Sequence, residues 1–224
     1  MTSRRPKPPH VLQKSIDSAI PITPITMRIT PIVLTSTPLV LTSTAQVRMA
    51  PIAIKKTVAC QVPSCYGLSK TVSFDESSVA SSTIGLIDLT CHSTSSTACP
   101  SNNNVGAQEL KGWIVSGYPD ALPSGQWYGV KTGQNIGPIK QGLDARIGVP
   151  LFFPVFDTTA NAGPVWYFHV IGWSAFVIDQ VVSWSPSDKR LRGHFVTFTT
   201  SDLPAGLPPD PNNDFGVHIL SLVE

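Results

Sequence analysis

Any chemistry done by this chain has few side chains to draw on. His169 stands in the middle of the most apolar run, VWYFHVIGWSAFVI, residues 165–178. A histidine there can act as a general base or metal ligand, or it can be a core residue whose ring nitrogen meets a backbone or hydroxyl partner. Asp157 closes the preceding apolar stretch, LFFPVFD (151–157), and approaches His169 if the two stretches form a hairpin. Serines are plentiful, yet no G-x-S-x-G elbow, H-E-x-x-H, Walker A or G-x-G-x-x-G segment occurs. GVKTGQNIG (129–137) surrounds a lysine with glycines but lacks the GK[ST] ending that cradles phosphate, so it reads as a turn-rich loop. Asp144 and Arg146, in DARIG, read as solvated charges on a helix surface. No catalytic residue, cofactor site or small-molecule substrate is expected, and the chain reads as non-enzymatic.

Alternation along the 165–178 strand sharpens the histidine question. One face carries Trp166, Phe168, Val170, Gly172, Ser174, Phe176 and Ile178; the other carries Tyr167, His169, Ile171, Trp173, Ala175 and Val177. Both faces are apolar, so a central strand covered on each side is expected, with His169 buried and satisfied. An exported hydrolase, the competing reading, requires His169 to be reachable from solvent and within hydrogen-bond distance of a carboxylate. A carbohydrate- or surface-binding module would instead use Trp113, Tyr118, Trp127 and Tyr128, although these also suit helix packing and loop anchoring.

Cysteines occur at positions 60, 65, 91 and 99 and nowhere else. The spacings C-x₄-C and C-H-x₆-C differ from the paired C-x₂-C of a zinc ribbon. His92 can join Cys91 as a ligand only if the chain bends, since neighbours on a strand point opposite ways. Disulfides, free thiols and a metal site are the three readings. Disulfides are favoured, with Cys60–Cys65 and Cys91–Cys99 as local pairs because each closes a short loop rich in turn formers, and oxidised pairs imply an extracytoplasmic location. No metal is expected.

Composition frames these residues. Only 13% of the 224 residues are charged, so the surface is wetted by Ser, Thr, Asn and Gln, a pattern more usual in exported proteins. Residues 1–56 contain eight Lys or Arg against the single acid Asp17, while the remainder carries about −5 by counting. No aromatic residue separates those basic residues, and nucleic-acid binding is not expected. Residues 1–49 lack Gly and aromatic residues, and Pro21, Pro24, Pro31 and Pro38 interrupt any long helix or central strand. VLTSTPLV and VLTSTAQV form a near-repeat that overlaps at Val40. This arm is expected to be extended or disordered, with residues 1–45 mobile and dispensable and edge pairing only near its end. No run approaches the roughly 20 apolar residues of a membrane span, and MTSRRPKPPH lacks the apolar region of a signal peptide. The chain as written is therefore expected to be soluble.

Residues 50–224 read as a single domain. PIAI (51–54), TIGLIDL (83–89), LFFPVFD, VWYFHVIGWSAFVI and RGHFVTF (192–198) have strand composition, and GVHILSLV near the end suits an edge strand. A helix is expected over about 105–115, capped by Asn104, with Ala107, Leu110, Trp113 and Ile114 as its apolar face and Gly117 and Pro119 as its stop. A second is expected over about 137–147, with Pro138 in its first turn and Ile136, Ile139, Leu143 and Ile147 on one face. DLPAGLPPDPNNDF (202–215) must be loop. The fold class is α+β: an antiparallel-dominated β-sheet or sandwich with two inserted helices, plus a Pro/Thr-rich extended N-terminal arm.

In order and spacing, PIAI, GLIDL, AQELKGWIVSGYPDALPSGQW, TGQNIGPIKQGLDARIG, LFFPVFD, YFHVIGWSAFVI and LRGHFV resemble the extracytoplasmic part of TadE/TadG-like Flp (tight-adherence) pilus-assembly proteins. The likeness spans roughly residues 50–200. It implies a minor pilin-like or accessory component of a bacterial tight-adherence secretion system, facing outward from the cell envelope. The partners implied are other Tad/Flp pilus or membrane components. Members of that family carry a hydrophobic anchor ahead of this region, where the present chain has its Pro/Thr arm. The resemblance transfers no catalytic residues.

Overall fold

The computed structural model describes residues 41–42, 49–61, 63–96, 105–120, 122–134, 136–200 and 214–219. Of the arm, this covers only its end, where β1 (Leu41–Thr42) pairs in parallel with β9 (Phe198–Thr200). The expectation that residues 1–45 are mobile therefore falls, for the rest of that segment, outside the described residues.

Two strands dominate. β6 (Pro150–Ala162) and β7 (Val165–Trp184) form a long antiparallel hairpin turning at Gly163, whose φ of 64° suits a tight turn that a Cβ would strain. Their Phe, Val, Ile and Trp content favours strands, and the run from Leu151 to Phe156 is buried throughout. β7 then serves two neighbours on its other edge. Its first half pairs with β5 (Gln126–Val130) and its second with β8 (Lys189–Val196). β5 pairs with β4 (Ile84–Ser93), β4 with β2 (Ile52–Lys55), and β2 runs parallel to β6. The path β7–β5–β4–β2–β6 thus returns to β7, closing the sheet on itself and removing two open edges. β3 (Ser69–Phe74) extends it beyond β8. The seven-stranded sheet is mixed: among the described residues β2–β6 is parallel and its other pairings are antiparallel, consistent with an α+β fold.

Aromatic side chains fill the interior. Phe156 and Phe168 stack with centroids 3.9 Å apart, and Phe176 contacts both Phe153 and Phe195. Two glycines let strands approach these rings. A Cβ on Gly85 would stand 2.5 Å from the Phe168 ring, and one on Gly193 would stand 2.5 Å from the Phe176 ring.

Both expected helices form. α1 (Ala107–Ser116) buries Leu110, Trp113 and Ile114 and stops at Gly117, whose φ is 81°. Its N-cap is Gly106, with no side-chain cap, rather than Asn104, which lies outside the described residues. α2 (Ile136–Asp144) places Pro138 in its first turn and buries Ile139 and Leu143. The helix ends three residues short of Ile147, which is 44% exposed and takes no part in the apolar face expected of it. α1 and α2 pack where Gly142 meets Ile114, and Lys111 Nζ donates to Gln141 Oε1 at 2.9 Å.

Two strands lay unread in the sequence, β3 and β5. SKTVSF and QWYGV are short and half polar, and both become strands by pairing with β8 and β7. The C-terminal edge strand appears as β10 (Val217–Ile219), parallel to β9. Among the described residues, no helix is long and apolar enough to cross a membrane.

Candidate functional site

His169 is not the buried core residue its neighbours suggested. Its side chain is 27% exposed, and Nδ1–H donates to Asp157 Oδ1 at 2.9 Å. One of the two register shifts in the β6–β7 ladder brings the carboxylate there. Phe156 pairs with Val170 but Thr158 pairs with His169, so Asp157 is an extra residue bulged out of β6. A bulge re-aims the side chain it carries, and here it presents a carboxylate to the neighbouring imidazole. Both solvent access and a carboxylate partner, the conditions set by the hydrolase reading, are met. Among the described residues, no serine, threonine or cysteine hydrogen-bonds to His169, and none engages its Nε2.

Across the sheet, Trp127 pairs with His169, their rings 5.1 Å apart and tilted by 45°. Ser93 pairs with Trp127 in turn, so Ser93, Trp127, His169 and Thr158 form one row across four strands.

The same device recurs farther along β7. Asp179 lies where the β7–β8 register shifts between Ile178 and Gln180, and its Oδ1 is 3.0 Å from His194 Nδ1. Sequence reasoning missed this second pair, for Asp179 looks like the polar end of an apolar run. Its only signal is an aspartate following VWYFHVIGWSAFVI. Of the four register shifts in the β6–β7 and β7–β8 ladders, two carry an aspartate, and each of those carboxylates is met by an imidazole from the adjacent strand.

Other charged groups are buried for packing. Lys189, 3% exposed, reaches Glu76 Oε1 at 3.1 Å, donates to Pro186 O at 3.2 Å and lies over the Phe74 ring. Glu76 Oε2 in turn accepts the Gly133 N–H at 3.2 Å, so the glycine-rich loop around Lys131 is tied down through a carboxylate. Asp88 is fully buried and accepts from both the backbone and the hydroxyl of Thr90. Asp144 is exposed and pairs with Lys140 at 2.6 Å on α2, as a solvated charge would, whereas Arg146 lies beyond the end of the helix and is half-buried, its Nη2 donating to Pro150 O at 3.3 Å.

The four aromatic residues suggested for sugar stacking are not gathered into one platform. Trp113 and Tyr128 are buried, Trp113 against the edge of Tyr118 and Tyr128 with its hydroxyl donating to Pro123 O at 2.7 Å. Burial raises the Tyr128 hydroxyl above the ordinary tyrosine range, and it raises Tyr118 too, with Asp120 beside it. Tyr66 is pushed up to about 12, first by burial and then by the charge of Asp214.

Cys60 and Cys65 form a disulfide with Cα atoms 5.8 Å apart, within bridging range. Cys91 is also disulfide-bonded, while Cys99, its expected partner, lies outside the described residues. His92 turns to Gln126, with Nδ1 2.6 Å from Oε1. Among the described residues, no three His, Cys, Asp or Glu side chains are grouped to hold a metal. Compared with family models, curated proteins and solved structures, the chain matches none.

Proposed function

We propose that this chain is a non-enzymatic, outward-facing component of a Tad/Flp-type pilus assembly or tight-adherence secretion system, working through protein partners in the cell envelope. The observation that carries the reading is the ordered set of blocks resembling TadE/TadG-like proteins. Those blocks coincide with α2, β6, β7 and β8, the elements around which the fold is built. A disulfide supports it, because such bonds persist in oxidising compartments. The recurrence of the His–Asp pair at a second register shift, Asp179 with His194, supports a structural role for His169. The test is deletion of the gene in its source organism, with surface pili and adherence measured and the protein located by protease shaving of whole cells. Loss of pili with a shaveable, disulfide-bonded protein is expected. A reduced, cytoplasmic protein, or intact pili after deletion, would refute the proposal.

The exposed His169–Asp157 pair favours one second reading, an exported hydrolase in which His169 Nε2 activates water. His169→Ala separates the two. If the role is structural, stability falls by about 1 kcal/mol or less, because water can replace the donor at the part-exposed Asp157 carboxylate, and no hydrolytic activity is lost. A variant as stable as wild type that loses a measured hydrolysis of ester, peptide or glycoside substrates would decide for the enzyme.

A further inference from the structure

We propose that the Cys60–Cys65 disulfide is the lock of a redox-controlled latch, in which Tyr66 pins the C-terminal segment 214–219 at Gly216. Tyr66 is separated from that segment by about 150 positions in the chain, yet it lies directly against it. A Cβ added at Gly216 would meet the Tyr66 hydroxyl and come within 2.6 Å of Cζ. Only a hydrogen fits between the ring and the backbone. Gly216 also has φ of 78°, so two independent constraints demand glycine where the ring lands.

Each side of the contact is held separately. On the clip side, Cys60 is 2% exposed and anchors one end of the loop, while the Gly67 N–H donates to Phe195 O at 2.9 Å just beyond Tyr66. Between those anchors, the disulfide closes the loop immediately before the tyrosine. On the tail side, Phe215 is buried and its carbonyl accepts from Ser174 Oγ at 3.3 Å, while the Gly216 carbonyl accepts from the Phe198 N–H at 2.7 Å. The Gly216 N–H folds back onto Asp214 Oδ1 at 2.8 Å, making the corner that receives the ring. β10 itself adds only three residues of pairing, a ladder too short to hold on its own.

Closing the lock oxidises two thiols. Cys60 and Cys65 pass two electrons and two protons to a disulfide oxidant, which leaves as two thiols, and a new S–S bond forms within the chain. The latch therefore seats the C-terminal segment once the chain reaches an oxidising compartment and leaves it undocked in a reducing one.

Hydrogen exchange on the full chain reads this directly, at the Phe198 amide and across 214–219, with the β7 amides of residues 167–170 as the internal reference. Cys60→Ser/Cys65→Ser is used rather than a reductant, which would also open the Cys91 disulfide. Expected is exchange at Phe198 and 214–219 faster by roughly tenfold or more, with the β7 reference unchanged. Tyr66→Ala, which keeps the disulfide, should release the same segment, and Tyr66→Phe should leave it docked. Exchange at Phe198 within about twofold of wild type in either Cys60→Ser/Cys65→Ser or Tyr66→Ala, or equal acceleration at the β7 reference, would overturn the latch.

Discussion

Gly193 offers a perturbation whose sign the structure decides. Replacing a glycine in a strand by alanine normally gains roughly 0.5–1 kcal/mol, because glycine loses more backbone freedom on folding. At Gly193 the added methyl has no place to go. It would stand against the carbonyl oxygen of Val177, nearer than real Cβ atoms come to any neighbour, and 2.5 Å from the Phe176 ring. That ring is fixed between Phe153 and Phe195, and Val177 is held in register by β6 and β8 on either side. Neither can yield without breaking a ladder or a stack. Overpacking of a core costs about 1–3 kcal/mol, and a backbone obstacle puts this case at the upper end. Subtracting the entropic gain leaves a net loss of about 2 kcal/mol, or roughly 4–8 °C in Tm for a domain of this size. Gly112 supplies the control. It lies within α1, where a methyl added to its Cα would meet nothing within 4 Å, so alanine there should stabilise by about 1 kcal/mol. Urea unfolding followed by tryptophan fluorescence measures both variants. The same sign of change in the two, or a Gly193→Ala protein as stable as wild type, would refute the reasoning.

Removing the Cys60–Cys65 bridge with two serines should cost about 2 kcal/mol, the loop-entropy value for so short a closure, read as a lower urea midpoint. Lys189→Met should destabilise by about 1–3 kcal/mol, discounted from a wholly buried pair because Glu76 keeps some solvent contact; adding Glu76→Gln should recover most of it, and a double variant no better than the single would refute the pairing argument. Alkaline pH should destabilise the domain. Tyr66 has its folded pKa raised to about 12, so the unfolded chain loses that proton first near pH 10 and the folded state holds it longer. The stability it contributes is present below about pH 10 and is lost as pH rises toward 12. Absorbance at 295 nm should show tyrosinate forming late in the folded protein, and Tyr66→Phe should remove part of that late titration; an unchanged titration would contradict the burial.

Much of the secondary structure was open to reading in local composition. Runs such as LFFPVFD and VWYFHVIGWSAFVI could only be strands of a covered sheet, because their Phe, Val, Ile and Trp side chains need burial on both faces. The helices announced themselves by spacing, with Leu110, Trp113 and Ile114 or Ile139 and Leu143 on one face and Gly117 or Pro138 as punctuation. The Cys60–Cys65 pairing was legible because loop closure over five residues is a local matter. β3 and β5 were not, since their half-polar sequences become strands only when β8 and β7 offer an edge. Asp157 was legible as a partner of His169 on the condition that their stretches form a hairpin, which they do, but the exposure of His169 was not. Strict alternation places it among Tyr167 and Ile171, and the extra residue at Asp157, which turns the carboxylate to its ring, is a slip of register that local composition does not show. The sequence by itself determined which segments bury their side chains, because burial follows residue type. Tertiary structure alone decided which edges meet, where the ladders slip, and that Tyr66 rests on Gly216, because those depend on pairing between segments far apart in the chain.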